Sequence, residues 1–341
     1  MADATLAAFT AAYAQNYRGD LVRTFNARST LLKALRLVPG EGKNCAFGME
    51  TTGAIGENFA EGADVSSTGS NAMVPATLNW GLYRSSWLIT DLAVAASAST
   101  RTPLGIQQLN ARQMVNSANK LAKTINALLF SGTDSTDGIV GLDVALHESN
   151  TYAGLDRSQG AYANFRSHVY DLASAAPTFK YLREKQGAIY DSCGEMPDLA
   201  ICPTAVWQKI ASLFDEQRRY NQPIMEMQTA RGVVKLDASA GALELDGCVY
   251  IKDADATAAS VYFLNTNHVH IEYLPLLDPG LGAPSMQGAA LSDGYGAIPL
   301  GMGIYPLARA GAAQKYTMEV QMQLVVTKPL ACGLITNVLT T

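Results

Sequence analysis

The longest apolar periodicity in the chain lies between Pro103 and Phe130. Leu104, Ala111, Val115, Ala118, Ala122, Ile125 and Leu129 recur at helical steps and share one face, while Gln107, Asn110, Lys120 and Lys123 fall outside it. Thr102 is placed to cap this helix with Pro103 at its first position, and Ser131-Gly132 supplies a left-handed stop. At ~1.5 Å rise per residue the predicted rod is roughly 42 Å long. Its stripe is narrow and built of small side chains, which suits the backbone of something wide and flat. The strand-like segments on either side argue against an all-α domain.

Before the rod, Leu6, Phe9, Tyr13 and Tyr17 define one face of a short N-terminal helix, and a second helix-like run spans Thr30 to Val38 up to Pro39-Gly40. Residues 1–43 carry Arg18, Arg23, Arg28, Lys33, Arg36 and Lys43 against Asp3, Asp20 and Glu41, a balance of +3. With so little apolar surface, this segment reads as an arm that needs a partner to lie on. Cys45, Phe47 and Met49, then Leu78, Trp80 and Leu82, alternate with small or polar residues, the signature of a hairpin. The Gly/Ser-rich piece between them is far longer than an ordinary turn. From 44 to 77 there are Glu50, Glu57, Glu61 and Asp64 and no basic residue, a balance of −4.

After the rod, residues 138–146 (GIVGLDVAL) read as a short strand, followed by two helices split by Pro177, the second ending near Gly187. Leu199 to Cys202 is a candidate buried strand, and Pro203 opens a helix with Val206, Ile210 and Leu213 inward. A hairpin at 243–251 turns at Asp246-Gly247, and strands follow at Val261–Asn265 and Val269–Tyr273. Residues 275–306 are rich in proline and glycine and read as irregular. A long strand from Tyr316 to Thr327, a turn at Lys328-Pro329 and an apolar closing segment complete the chain. The fold class is α+β, helices beside mostly antiparallel strands, without the alternation of a doubly wound sheet.

Only 16% of the 341 residues are charged, against ~25% in an average protein. Glycine, alanine, serine and threonine take their place, a composition that suits burial against other subunits and equally a compact monomer with an alanine-rich exterior. The net charge of −5 gives no sign of a nucleic-acid-binding surface of the basic kind. Five scattered cysteines without a C-x-x-C pair read as reduced thiols. No apolar run reaches the ~18 residues of a membrane span, and Asp3 with no early positive charge argues against a signal peptide. The expectation is a soluble protein that stays where it is made.

Candidate chemistry is sparse. Asn267-His268-Val269-His270 sets two imidazoles on one strand face, but no carboxylate motif accompanies them, so structural histidines are expected. Thr133 to Gly138 lacks the oxygen ligands of a calcium loop, and Gly40-Glu41-Gly42-Lys43 has the wrong spacing for a phosphate loop. There is no G-x-S-x-G, no G-x-G-x-x-G after a strand and no H-E-x-x-H. No catalytic residue, metal or cofactor is assigned, and the protein is not expected to be an enzyme.

The order of these elements resembles the major capsid proteins of tailed bacteriophages, with their Hong Kong 97-type fold. The stretches that carry the resemblance are ENFAEGADV in the loop, NKLAKTINALLFSG ending the rod, FSGTDSTDGIVGLDVAL, TYAGLDRSQGAYANF, PDLAICPTAVWQKIASLFDEQRRY and TKPLACGLITNV. The resemblance implies an N-terminal arm (1–43), an extended loop hairpin (44–90), a peripheral domain with a long spine helix (91–160 and 306–341) and an axial domain (161–305). It implies self-assembly into hexamers and pentamers of an icosahedral head that encloses double-stranded DNA without reading its sequence. Portal, scaffolding and decoration proteins are the implied partners, with assembly in the host cytoplasm and no membrane. With no scaffolding segment ahead of the arm in this sequence, scaffolding is expected to come from elsewhere or to have been removed already, and no cross-linking lysine, asparagine and acid can be matched. Glu57, Glu61 and Asp64 of the loop and Arg18, Arg23 and Arg28 of the arm are the expected assembly contacts. An encapsulin-type shell holding cargo is the alternative within the fold. A homo-oligomeric enzyme with its site in 275–306 is the alternative outside it.

Overall fold

A computed structural model describes residues 30–52, 61, 72–93, 95, 106–215, 225–229, 232–236, 243–274, 303–307, 309 and 311–339. The expected helix around Leu6 to Tyr17, the Thr102 cap and most of the irregular 275–306 segment lie outside these residues.

In chain order, helix α1 (Thr30–Ala34) leads into β1 (Arg36–Pro39), and β2 (Asn44–Thr52) pairs with β3 (Ala72–Asn79) before β4 (Gly81–Thr90). The long helix α2 (Ile106–Ser131) follows, then α3 (Leu142–Ala145), β5 (Thr151–Tyr152), β6 (Leu155–Asp156), a 3-10 turn over Gly160–Phe165 and β7 (His168–Asp171). Next come α4 (Phe179–Cys193), β8 (Leu199–Cys202), α5 (Thr204–Asp215), β9 (Met225–Thr229) and β10 (Gly232–Leu236). The chain closes with β11 (Leu243–Leu245), β12 (Cys248–Lys252), β13 (Val261–Leu264), β14 (Val269–Tyr273), β15 (Gly303–Pro306), β16 (Ala313–Val326) and β17 (Gly333–Thr336).

Two sheets organise the molecule. The five-stranded one is built on β16, with β4 along one edge and β14 and β15 in line along the other. β1 adds outside β14, in parallel. The six-stranded one runs β11-β12-β8-β13-β17-β7. The long helix packs on β4 and β16. Its Ala118, Leu121, Ala122, Ile125 and Leu129 share a buried cluster with Met318, Val320, Met322 and Leu324 of β16. This is the face expected from the apolar stripe. Small residues let the rod lie close on the sheet, and larger ones at its end fill the joint between sheets.

Several local expectations are corrected. The helix-like run from Thr30 ends at Ala34 and becomes strand at Arg36, because Arg36 to Pro39 pair with β14 instead of extending the helix. Gly132 does stand at the end of α2, but not for a left-handed turn, since its φ is not positive. A Cβ there would lie 2.2 Å from the Ile139 carbonyl oxygen and 2.6 Å from that of Leu128, so close backbone approach is the reason for glycine. Residues 138–146 are not a strand: Val140 bridges Thr133, and Leu142 opens a one-turn helix. Of the two helices around Pro177, the first is the 3-10 turn followed by β7. The second runs through Gly187 to Cys193, capped by the Thr178 hydroxyl and stopped by Gly194 at φ 73°. The hairpin at Asp246-Gly247 takes φ of 53° and 82°, the mirror-image turn its sequence prescribes.

Sheet membership crosses the expected segment boundaries. β17, in the 306–341 segment, sits between β13 and β7 in the six-stranded sheet. β14, in the 161–305 segment, sits between β1 and β16 in the five-stranded one.

Candidate assembly surfaces

The β2–β3 hairpin has a two-faced pattern set by strand alternation. Cys45, Met49, Ala76 and Leu78 are buried, whereas Ala46, Gly48, Pro75 and Thr77 face outward and Met73 is 71% exposed. A two-stranded hairpin is at best marginal alone, and the base of this one is braced by its own subunit. Phe47 packs at a tilt on Phe165, Phe165 stacks on Tyr152, and the Thr77 N–H donates to the Ala153 carbonyl at 2.9 Å. Arg157 holds the brace. It is buried, and its guanidinium donates to the carbonyls of Ala145, Val144 and Asn150, satisfying the C-terminal end of α3. Of the expected contact residues, Glu61 is exposed in a turn. Glu57, Asp64, Arg18, Arg23 and Arg28 lie outside the described residues.

The described chain begins at a buried polar joint that was not among the sequence-based expectations. Leu31, Leu32 and Leu35 are fully buried. The Leu31 N–H donates to Asp253 Oδ2 at 3.0 Å and the Leu32 N–H to Asn126 Oδ1 at 3.3 Å. Asn126 Nδ2 donates in turn to the carboxylates of Asp253 and Asp255. The first free amides of α1 are thus received by the long helix and by the turn after β12. Burial pushes the Asp253 carboxyl up, against the hydrogen bonds that favour its charge. The only signal for this joint was an Asn on the rod's buried face, in line with Ala122 and Leu129.

The histidine pair does not act as a pair. His268 Nε2 lies 2.6 Å from Glu195 Oε2, and His270 Nε2 lies 3.2 Å from Glu272 Oε1. Among the described residues no three His, Cys, Asp or Glu side chains gather as a metal site. Cys45, Cys202, Cys248 and Cys332 are buried thiols whose pKa values burial pushes up, which makes them poor nucleophiles. Asp134 accepts from the Thr136 N–H, an ordinary turn in place of a calcium loop. No described helix is long and apolar enough to cross a membrane.

No family model matches the sequence, and no curated relative matches it. Solved structures do match, over nearly the whole chain. The capsid subunit of cyanophage A-1(L) superposes with a TM-score of 0.70 at 15% identity, covering 95% of this chain and 96% of that one. The capsid subunit of a native GTA particle gives 0.60 at 15% identity, covering 94% and 93%. The SrpI encapsulin of Synechococcus elongatus PCC 7942 gives 0.57 at 11% identity, covering 97% and 95%. The chain therefore has the fold of tailed-phage major capsid proteins, a fold that this encapsulin shares.

Proposed function

We propose that the protein is a major capsid protein that assembles into hexamers and pentamers of an icosahedral phage head around double-stranded DNA. The observation that carries this is the end-to-end match to capsid subunits, with almost no unmatched chain on either side. A likeness confined to one sheet would fit many functions, but this one covers 95% of this chain and 96% of the cyanophage subunit. In this reading 1–43 is the arm, 44–90 the extended hairpin, 91–160 with 306–341 the peripheral domain, and 161–305 the axial domain. The low charge and the small-residue outer face of the hairpin support it, since subunit interfaces must pack closely on several sides. Portal, scaffolding and decoration proteins are the further partners, with assembly in the host cytoplasm. The weakly acidic chain suits a container whose wall leaves packaged DNA unbound.

The encapsulin match favours one second reading, a shell that holds protein cargo. Particle contents separate the two. Expressed protein should sediment as capsomers or closed shells far heavier than the 36.2 kDa chain and show rings or shells in negative stain. A monomer at every concentration and salt would overturn both readings. Particles from the native source should contain nuclease-protected DNA in the first case and a protein cargo in the second.

A further inference from the structure

The two sheets are joined by two short crossovers, 265–268 between β13 and β14 and 327–332 between β16 and β17. The crossovers touch: the Thr327 N–H donates to the His268 carbonyl at 2.9 Å. A third segment, the loop between α4 and β8, grips both. It leaves α4 through Gly194, whose left-handed φ and N–H bond to the Tyr190 carbonyl fix its direction. Its Glu195 then spends one carboxylate oxygen on each crossover. Oε1 accepts from Lys328 Nζ at 2.7 Å in the second. Oε2 lies 2.6 Å from His268 Nε2 and accepts from Asn265 Nδ2 at 3.1 Å in the first. Asp198, in the same loop, fastens only the first crossover, through the N–H and hydroxyl of Thr266.

We propose that Glu195 is a latch across the hinge between the two sheets, fixing their angle in the free subunit and yielding when the subunit enters rings of different symmetry. This rests on the shell reading, in which one chain must fit both five- and six-membered rings. Exposure argues for a latch over a permanent strut. The Glu195, Lys328 and His268 side chains are 37%, 34% and 25% exposed, so water competes for each pair and each is weak alone. Lys328, and after it His268, hold the Glu195 carboxyl below the usual range against partial desolvation, so the latch is charged at neutral pH. Removing Glu195 loosens both crossovers at once, while the direct tie between them, from the N–H and hydroxyl of Thr327 to the His268 carbonyl, stays in place.

The test is amide hydrogen exchange on the purified full chain. In Glu195→Gln, exchange should rise roughly three- to tenfold in both crossovers, with β8 and β13 unchanged. In Lys328→Met the rise should be confined to 327–332, and Glu195→Lys with Lys328→Glu should restore protection there. Lys328→Met decides the matter if the Glu195 variants do not fold. Unchanged exchange in the crossovers, or a uniform rise through the core, would overturn the latch. Wild-type protein that forms no shell but shows the local exchange response keeps the latch and removes the shell reading. Shells with a flat exchange response do the reverse.

Discussion

Asp253 shows how much a single residue can fix. It is 1% exposed and receives the Leu31 and Asp255 N–H groups and the Asn126 amide. Asp253→Ala would leave the Leu31 and Asp255 N–H groups without an acceptor and the Asn126 amide with Asp255 alone, at a cost of about 2–4 kcal/mol. Denaturant unfolding should show that loss together with faster amide exchange at 31–35, and a loss below about 0.5 kcal/mol would refute the joint. The pH dependence has a defined sign. Because burial raises the folded value above the ordinary carboxylate value of ~3.9, folding favours the protonated form. Asp253's contribution is full below that ordinary value and is lost as pH rises through the folded one. The penalty of Asp253→Ala should therefore narrow as pH rises out of the acid range. Beyond an Asn on the rod's apolar stripe, little of this was legible in the sequence, because Asp253 and Asn126 are 127 positions apart and neither sits in a motif.

At the scale of elements, the rod and the strands were legible because each carries its own period. Ala118, Ala122, Ile125 and Leu129 were assigned to the buried face from spacing alone, and all four are buried. Val115, on the same stripe, has no described side chain. Ala118→Glu puts an unpaired charge at a site 3% exposed and should cost about 3 kcal/mol or more, read from thermal or denaturant unfolding. A soluble, normally stable Ala118→Glu protein would mean the helix face is misassigned. Element ends were harder. Gly187 looked like a stop and is mid-helix, while Gly194 ends the helix. Composition cannot separate the two cases; backbone conformation can. A Cβ at Gly187 would meet nothing within 4 Å, so Gly187→Ala should stabilise the protein by about 0.5–1 kcal/mol. At Gly132 the same change collides with backbone and should destabilise. Opposite signs for one substitution at a mid-helix glycine and at a glycine just past a helix end, measured by the shift in unfolding midpoint, check both assignments.

At the scale of the whole molecule, the sequence resolved strands but not their sheets. Only four residues separate β13, a continuous apolar run, from β14, which alternates with His270 and Glu272, yet they belong to different sheets, and β16 and β17 likewise part across their turn. Apolar runs and alternation report which faces are buried, not which neighbours bury them. Assembly is the level at which charge pattern must do the remaining work. The arm (1–43) is +3 and the loop (44–77) is −4, and the outer hairpin face is nearly free of charge, so acidic residues gather toward the loop's tip. The loop of one subunit is expected to lie over the arm or peripheral domain of a neighbour. One exposed ion pair is worth only ~0–1 kcal/mol, so no pair decides the contact, but its repetition around a shell biases closure. Reversing Glu57, Glu61 and Asp64 to lysine tests this directly. Capsomers should still fold, because Glu61 is exposed and the buried faces of β2 and β3 are untouched. Closure should fail at low salt, where repulsion between loop and arm is screened least, and recover partly as the Debye length shrinks below its ~10 Å at 0.1 M. Light scattering and negative stain across a salt series give the readout. Normal shells from the triple variant at every ionic strength would remove charge from the account of closure and leave shape alone to explain it.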